Sequence, residues 1–235
     1  MAQKVFVGSI FKNDLDFQPQ WLDLQLKCIQ QTTSNFEHVA VVSEGLTNSC
    51  FSDKTTVIVP ENQKLEWSEA HLQGLKILLN FFKEQNCPYF LFLDGDAFPI
   101  KQNWLNELTS RMRPQEVFQN GCAFQTSGKQ LEIAVALRSE NLENRLHASI
   151  LFAKKEALNH LDFCLGTNPQ PDLLNNRETD IYLTPYQTER RDKAFPLMRS
   201  NQFNVHPVAC GVYYDCFYHH CCGSGRGFQV RGRNY

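Results

Sequence analysis

Asp94 and Asp96, separated by one glycine, follow directly on the apolar run Tyr89-Phe90-Leu91-Phe92-Leu93. Carboxylates this close, with no basic residue beside them in the chain, repel each other, and a divalent cation is the simplest partner that offsets the repulsion. Hard oxygen donors of this kind suit magnesium or manganese, either of which can in turn hold a diphosphate. An acid-x-acid triplet on its own is common in solvated turns, so the preceding run matters. Continuous and apolar, it reads as a central strand of an α/β sheet, buried on both faces. Acids at the carboxyl end of such a strand lie where open α/β sheets bind ligands.

Other groups with chemical capacity are scattered. Tyr218-His219-His220-Cys221-Cys222 offers imidazole and thiol side by side. Adjacent residues point in different directions and no Cys-x-x-Cys pair exists elsewhere to complete a tetrahedron, which argues against a zinc site. The loop after it, Gly223-Ser-Gly-Arg226-Gly227, suits closure over a diphosphate. Glu44 follows the second predicted strand, where an acid is a hydrogen-bond acceptor or an ordinary surface residue. Glu178 and Asp180 open a helix expected over Glu178–Tyr186, where acids also serve as ordinary helix-start residues. Trp67, Trp104 and Tyr186 are aromatics that either stack on a flat ligand face or fill the core, and His147 lies near the strand expected over Ser149–Ala153.

The elements that must carry these groups follow from periodicity. Lys4–Ile10 reads as a first strand ending in a Gly8-Ser9 turn, Trp21–Gln31 as a helix, His38–Ser43 as a second strand, and Thr55–Val59 as a short third strand stopped by Pro60. Ser68 is a plausible N-cap for a helix bearing Leu72, Leu75, Leu78, Leu79 and Phe82 on one side. Strands alternating with helices indicate parallel β-α-β units. Beyond residue 100 the pattern is less regular. Helices are expected over Trp104–Met112 and Lys154–His160, and strands over Gln130–Arg138, Ser149–Ala153 and parts of Val205–Phe217.

The chain of 235 residues is 42% hydrophobic with 18 phenylalanines, enough for a conventional core in a single domain. A net charge of −2 supplies no general attraction to nucleic acid or anionic lipid, although Arg226, Arg231 and Arg233 cluster without acids near the end. Nine cysteines in no recognisable disulfide spacing favour a reducing, cytoplasmic setting. Met1–Phe11 is too weakly apolar for a secretory signal, and no run reaches the length of a membrane span.

On Asp94-Gly95-Asp96 and the strand Phe90–Leu93, the chain resembles nucleotide-sugar-dependent glycosyltransferases of the A-type (GT-A) fold. The resemblance implies an α/β, Rossmann-like fold with a mostly parallel central sheet flanked by helices. A nucleotide-sugar-binding half would cover roughly the first hundred residues, and a less regular acceptor-binding and catalytic half the remainder. It implies that Asp96 binds the metal, Mn2+ or Mg2+, and that Asp94 contacts ribose or metal-bound groups. Gly8 and Ser9 would hold the nucleoside base with backbone groups, His71 and Gly74 would face the nucleotide, and His219 or His220 would be a third metal ligand. Asp180, with Glu178 as the fallback, would be the general base in an inverting transfer to a glycan or other hydroxyl acceptor. Two other functions fit carboxylates at a strand end. A nucleotidyltransferase normally carries a glycine- and lysine-rich loop after its first strand, of which Gly8-Ser9-Ile10-Phe11-Lys12 is a poor version. A non-catalytic nucleotide- or sugar-binding module is the other.

Overall fold

The computed structural model describes residues 3–11, 19–42, 51, 55–60, 67–111, 134–139, 146–165, 179–183, 198–199, 204–206, 210–213 and 216–219. The first half is β1 (Val5–Phe11), α1 (Pro19–Thr32), β2 (Phe36–Val42), β3 (Thr55–Ile58), α2 (Trp67–Glu84) and β4 (Tyr89–Asp94). These strands form a parallel set in the order β3-β2-β1-β4. From β1 the chain steps outward to β2 and β3. It then crosses back through α2 to lay β4 on the far side of β1, with Ile10 in register with Asp94. The strand order therefore reverses between β1 and β4, and the crevice at their carboxyl ends is the topological switch point where open α/β sheets take ligands. The expected Rossmann-like α/β architecture, a mostly parallel central sheet flanked by helices, is present.

Alternation along the strands explains the layering. Phe6 and Ile10 of β1 and Phe90 and Phe92 of β4 pack under α2 with Leu75, Leu78, Leu79 and Phe82. Val5, Val7, Leu91 and Leu93 point to the opposite face. There they meet Ile29 of α1 and Trp104 and Leu108 of α3 (Trp104–Arg111). Both faces of β4 are thus covered, which is why its sequence is apolar without interruption. The Phe82 ring lies 4.9 Å from the rings of both Phe90 and Phe92, aromatic pairs that add to what burial alone contributes.

Past β4 the sheet continues differently. After β5 (Ala97–Pro99) come β6 (Ala134–Ser139) and β7 (Leu146–Lys154), and β7 runs antiparallel to both β4 and β6. Next are β8 (Leu161–Leu165), β9 (Thr179–Leu183) and β10 (Met198–Arg199). A second, four-stranded sheet has the order β11 (Asn204–His206), β12 (Cys210–Tyr213), β13 (Phe217–His219) and then β5. Among the described residues no helix is long and apolar enough to cross a membrane.

Three local expectations are corrected. Within the stretch read as a helix over Glu178–Tyr186, the described residues Thr179–Leu183 form the strand β9, paired with β8 and touching β7. Its Thr, Ile and Tyr residues suit a pleated surface, and the pairing outweighs the helix-start preference of its acids. The helix expected over Lys154–His160 is a single 3-10 turn, Lys155–Ala157, followed by β8. Its Lys155 ammonium donates to the carbonyls of Phe82, Lys83 and Gln85 at 3.3, 2.7 and 2.6 Å, closing the carboxyl end of α2, so the residue serves as a cap for another helix. Finally, Gly8 and Ser9 lie inside β1, which runs on to Phe11.

Gly8 has a packing reason. A Cβ there would come within 2.6 Å of the Phe82 ring and 2.8 Å of Leu78. Gly74 has the same relation from the other partner, since its Cβ would meet Ile10 at 3.0 Å. The two glycines let α2 settle closely on β1. Gly8→Ala is expected to lower stability by about 1–3 kcal/mol through overpacking, read as a lower urea midpoint with an unchanged slope.

Candidate metal centre

β4 delivers Asp94 at its last position, and the chain turns at Gly95 and Asp96 before entering β5. The turn is tight against β1. A Cβ on Gly95 would meet the Phe11 ring at 2.9 Å and the Ile10 carbonyl at 3.1 Å, so the middle residue must be glycine for steric reasons. On the other side β5 pairs antiparallel with β13, which sets His219 opposite Ala97. The backbone is fastened again where the Ile100 N–H donates to the Cys216 carbonyl at 2.7 Å. In this way a histidine more than a hundred residues away in sequence comes to the acid pair.

The resulting cluster is compact and largely dry. His219 Nε2 lies 3.3 Å from Asp96 Oδ1 and 3.7 Å from Asp94 Oδ2. Asp96 and His219 are each 2% exposed. One atom each from Asp94, Asp96 and His219 lies within 4.8 Å of the others. Six-coordinate ions with bonds of about 2.1 Å separate neighbouring donors by about 3.0 Å and opposed donors by about 4.2 Å, so the spacing suits three ligands of one small cation. The donor set, two carboxylates and an imidazole, also suits a divalent metal.

His71 adds a fourth group. α2 runs antiparallel to the strands it crosses, so its first turns stand at their carboxyl ends, and His71 Nε2 lies 2.7 Å from Asp94 Oδ1. A carboxylate can only accept, so Nε2 carries the hydrogen. Asp94 therefore has one oxygen tied to His71 and the other turned towards His219.

The structure brings Asp94, Asp96, His71 and His219 together. Gly74 sits one helical turn from His71, against Ile10. Ser9 is fully buried, and its hydroxyl pairs with His38 Nε2 at 3.1 Å while His38 Nδ1 meets the Thr55 hydroxyl at 3.0 Å. That chain has the connectivity of a nucleophile and its base, but Ser9 and His38 are buried inside the sheet. Burial pushes the His38 pKa down to about 3, so the ring is neutral. Asp180 lies in β9, its backbone in register with His147 of β7. Trp104 is core: its Nε1–H donates to the Thr33 hydroxyl at 3.0 Å and its ring packs on Phe152 and Phe217. Glu44, Glu178, Tyr186, His220 and Arg226 fall outside the described residues, as do the side chains of Trp67, His147 and Asp180.

Sequence reasoning missed Gln25. It occupies the apolar stripe Leu22, Leu26, Ile29 of α1, is fully buried, and donates from Nε2 to the carbonyls of Asp94 and Ala97 at 2.9 and 2.7 Å. A single amide in a stripe of helical spacing was the available signal.

Compared with known proteins, the chain matches no family model and no curated protein. Among solved structures it is similar to a mannosyltransferase, PcManGT from Pyrobaculum calidifontis, solved with GDP-Man and Mn2+. The identity there is 13% and the TM-score 0.42, over 66% of this chain and 45% of the other. It is similar to a glycosyltransferase involved in glycosylation of the major capsid of PBCV-1, at 11% identity and TM-score 0.36 over 67% and 62%. The glycosyltransferase GlyE of Streptococcus pneumoniae TIGR4 matches at 12% identity and TM-score 0.41 over 67% and 36%. The chain thus spans less than two thirds of the length of each.

Two measurements check this geometry. Gly95→Ala pushes the turn off Phe11 and is expected to lower stability by about 1–3 kcal/mol through overpacking, read as a lower urea midpoint. His38 contributes to stability above its unfolded pKa of 6.5, and that contribution is lost as pH falls towards about 3. Between pH 7.5 and 5.5 the loss should be about 1.4 kcal/mol. It should be missing from the difference between urea midpoints in His38→Gln.

Proposed function

We propose that the protein is a divalent-metal-dependent glycosyltransferase, moving a sugar from a nucleoside-diphosphate sugar to an acceptor hydroxyl. The observation that carries the reading is the Asp94, Asp96 and His219 cluster at the end of β4, beside the crevice where the strand order reverses. In this reading Asp96 and His219 hold the ion, and Asp94, fixed by His71, faces either the ion or the donor ribose. An imidazole beside two carboxylates moves the preference from magnesium towards manganese. The bound ion supplies a positive charge that neutralises the leaving diphosphate. The crevice at the carboxyl ends of β1 and β4 is assigned to the nucleoside, with Gly8, Ser9 and Gly74 supporting it from β1 and α2; Glu44 and Arg226 are the further donor contacts of this reading, and His220 is the alternative to His219 as metal ligand.

Asp180 is the proposed general base, with Glu178 as the alternative, and an attack assisted from that side gives inversion. The register supports its location. β6 occupies one edge of β7 from Leu146 to Ala153. β4 pairs along the other edge as far as Ile150, and β9 takes up that same edge at His147. β9 therefore continues the line of β4 beyond its carboxyl end. Asp180 lies three β7 positions past the partner of Leu93, roughly 10 Å along the strand. The donor half is assigned to the first hundred residues or so and the acceptor side to the remainder.

The test is a panel of nucleotide sugars incubated with Mn2+. Slow release of nucleoside diphosphate is expected from the wild type, with a loss of roughly a hundredfold or more in Asp96→Asn. Asp180→Asn should lower transfer by about 10²–10⁴ while leaving Mn2+ affinity unchanged. Pyrophosphate released from a nucleoside triphosphate instead would overturn the reading in favour of nucleotidyl transfer, and binding without turnover would leave only a sugar- or nucleotide-binding module.

A further inference from the structure

We propose that Gln25 is a positioning residue for the acid pair: its amide sets the backbone of the Asp94–Ala97 turn and thereby the separation of the two carboxylates. The proposal rests on the metal reading above and deepens it. Both amide hydrogens are used, one on the Asp94 carbonyl and one on the Ala97 carbonyl. Those carbonyls bracket Gly95 and Asp96, so a single rigid group spans the whole turn from the α1 side. The opposite orientation would set Oε1 against two carbonyl oxygens, so the donors are identified without ambiguity.

Packing alone does not account for this residue. Its stripe neighbours Leu22, Leu26 and Ile29 are buried and apolar, and a leucine or methionine would continue the stripe. Among the described residues, Gln25 Oε1 is buried without a hydrogen-bond partner, an arrangement that by itself disfavours the folded state. What the amide contributes that an apolar side chain would not is the pair of bonds to the two carbonyls of the turn. The turn is consequently pinned from two sides, by Gln25 above and by the contact of Gly95 with Phe11 and the Ile10 carbonyl below. Neither contact touches a carboxylate oxygen, so both act on the acids through the backbone.

Gln25→Met keeps volume and removes both donors. It is expected to fold and to bind Mn2+ roughly tenfold or more weakly than wild type by calorimetry. A purely structural role would instead lower the thermal midpoint and leave Mn2+ affinity at 20–25 °C intact, and that result overturns the proposal. Asp96→Asn runs alongside. If wild type and Asp96→Asn bind Mn2+ equally, the metal reading itself fails and takes this proposal with it. If binding depends on Asp96 and Gln25→Met matches wild type, the role of Gln25 alone fails. Should the variant not fold, the Gln25 side-chain NH2 resonance of 15N-labelled wild type decides: it is expected to shift with the Mg2+ titration, and an unmoved resonance overturns the proposal.

Discussion

Two carboxylates held this close repel each other, and here one of them, Asp96, is buried while Asp94 is partly exposed. The structure around β4 can be understood as a set of restraints on that arrangement. His71 ties one oxygen of Asp94, and His219 stands between the acids. Gly95 allows the turn to press on β1, and Gln25 holds its two ends. None of these contacts is large by itself. Together they fix the turn from α1, α2, β1 and β13.

Such a site needs a stiff frame, and the core supplies one. β4 is buried on both faces, with Phe82, Phe90 and Phe92 interlocked on one side and Leu91, Leu93, Trp104, Phe152 and Phe217 on the other. Gly8 and Gly74 bring α2 close to β1. The same approach brings the first turns of α2, with His71, over the end of β4. Closeness of packing and placement of the site are therefore one property of this fold.

The second half contributes by long-range pairing. The small sheet of β11, β12, β13 and β5 carries His219 to the turn. β9 occupies the edge of β7 that β4 leaves vacant. Both elements are short, and neither has a strong pattern of its own; the larger sheet decides where they lie.

What the sequence determined by itself was whatever local physics governs: the alternation of strands and helices to residue 100, the doubly buried run Phe90–Leu93, and the acids that end it. Hydrophobic periodicity and the mutual repulsion of Asp94 and Asp96 are properties of neighbouring residues, so they are legible without coordinates. Tertiary structure decided the rest. The 178–186 stretch carried acids suited to a helix start, and pairing with β7 and β8 made its middle, Thr179–Leu183, a strand instead. Gly8 and Ser9 read as a turn ending the first strand, and the strand instead runs through them to Phe11, where the approach of α2 and the buried partner His38 account for the two residues. That His219 meets Asp96, and that Gln25 grips the turn, depends on register between segments about 70 to 120 residues apart. Contacts at such separations are set by how whole faces pack, which no local pattern encodes.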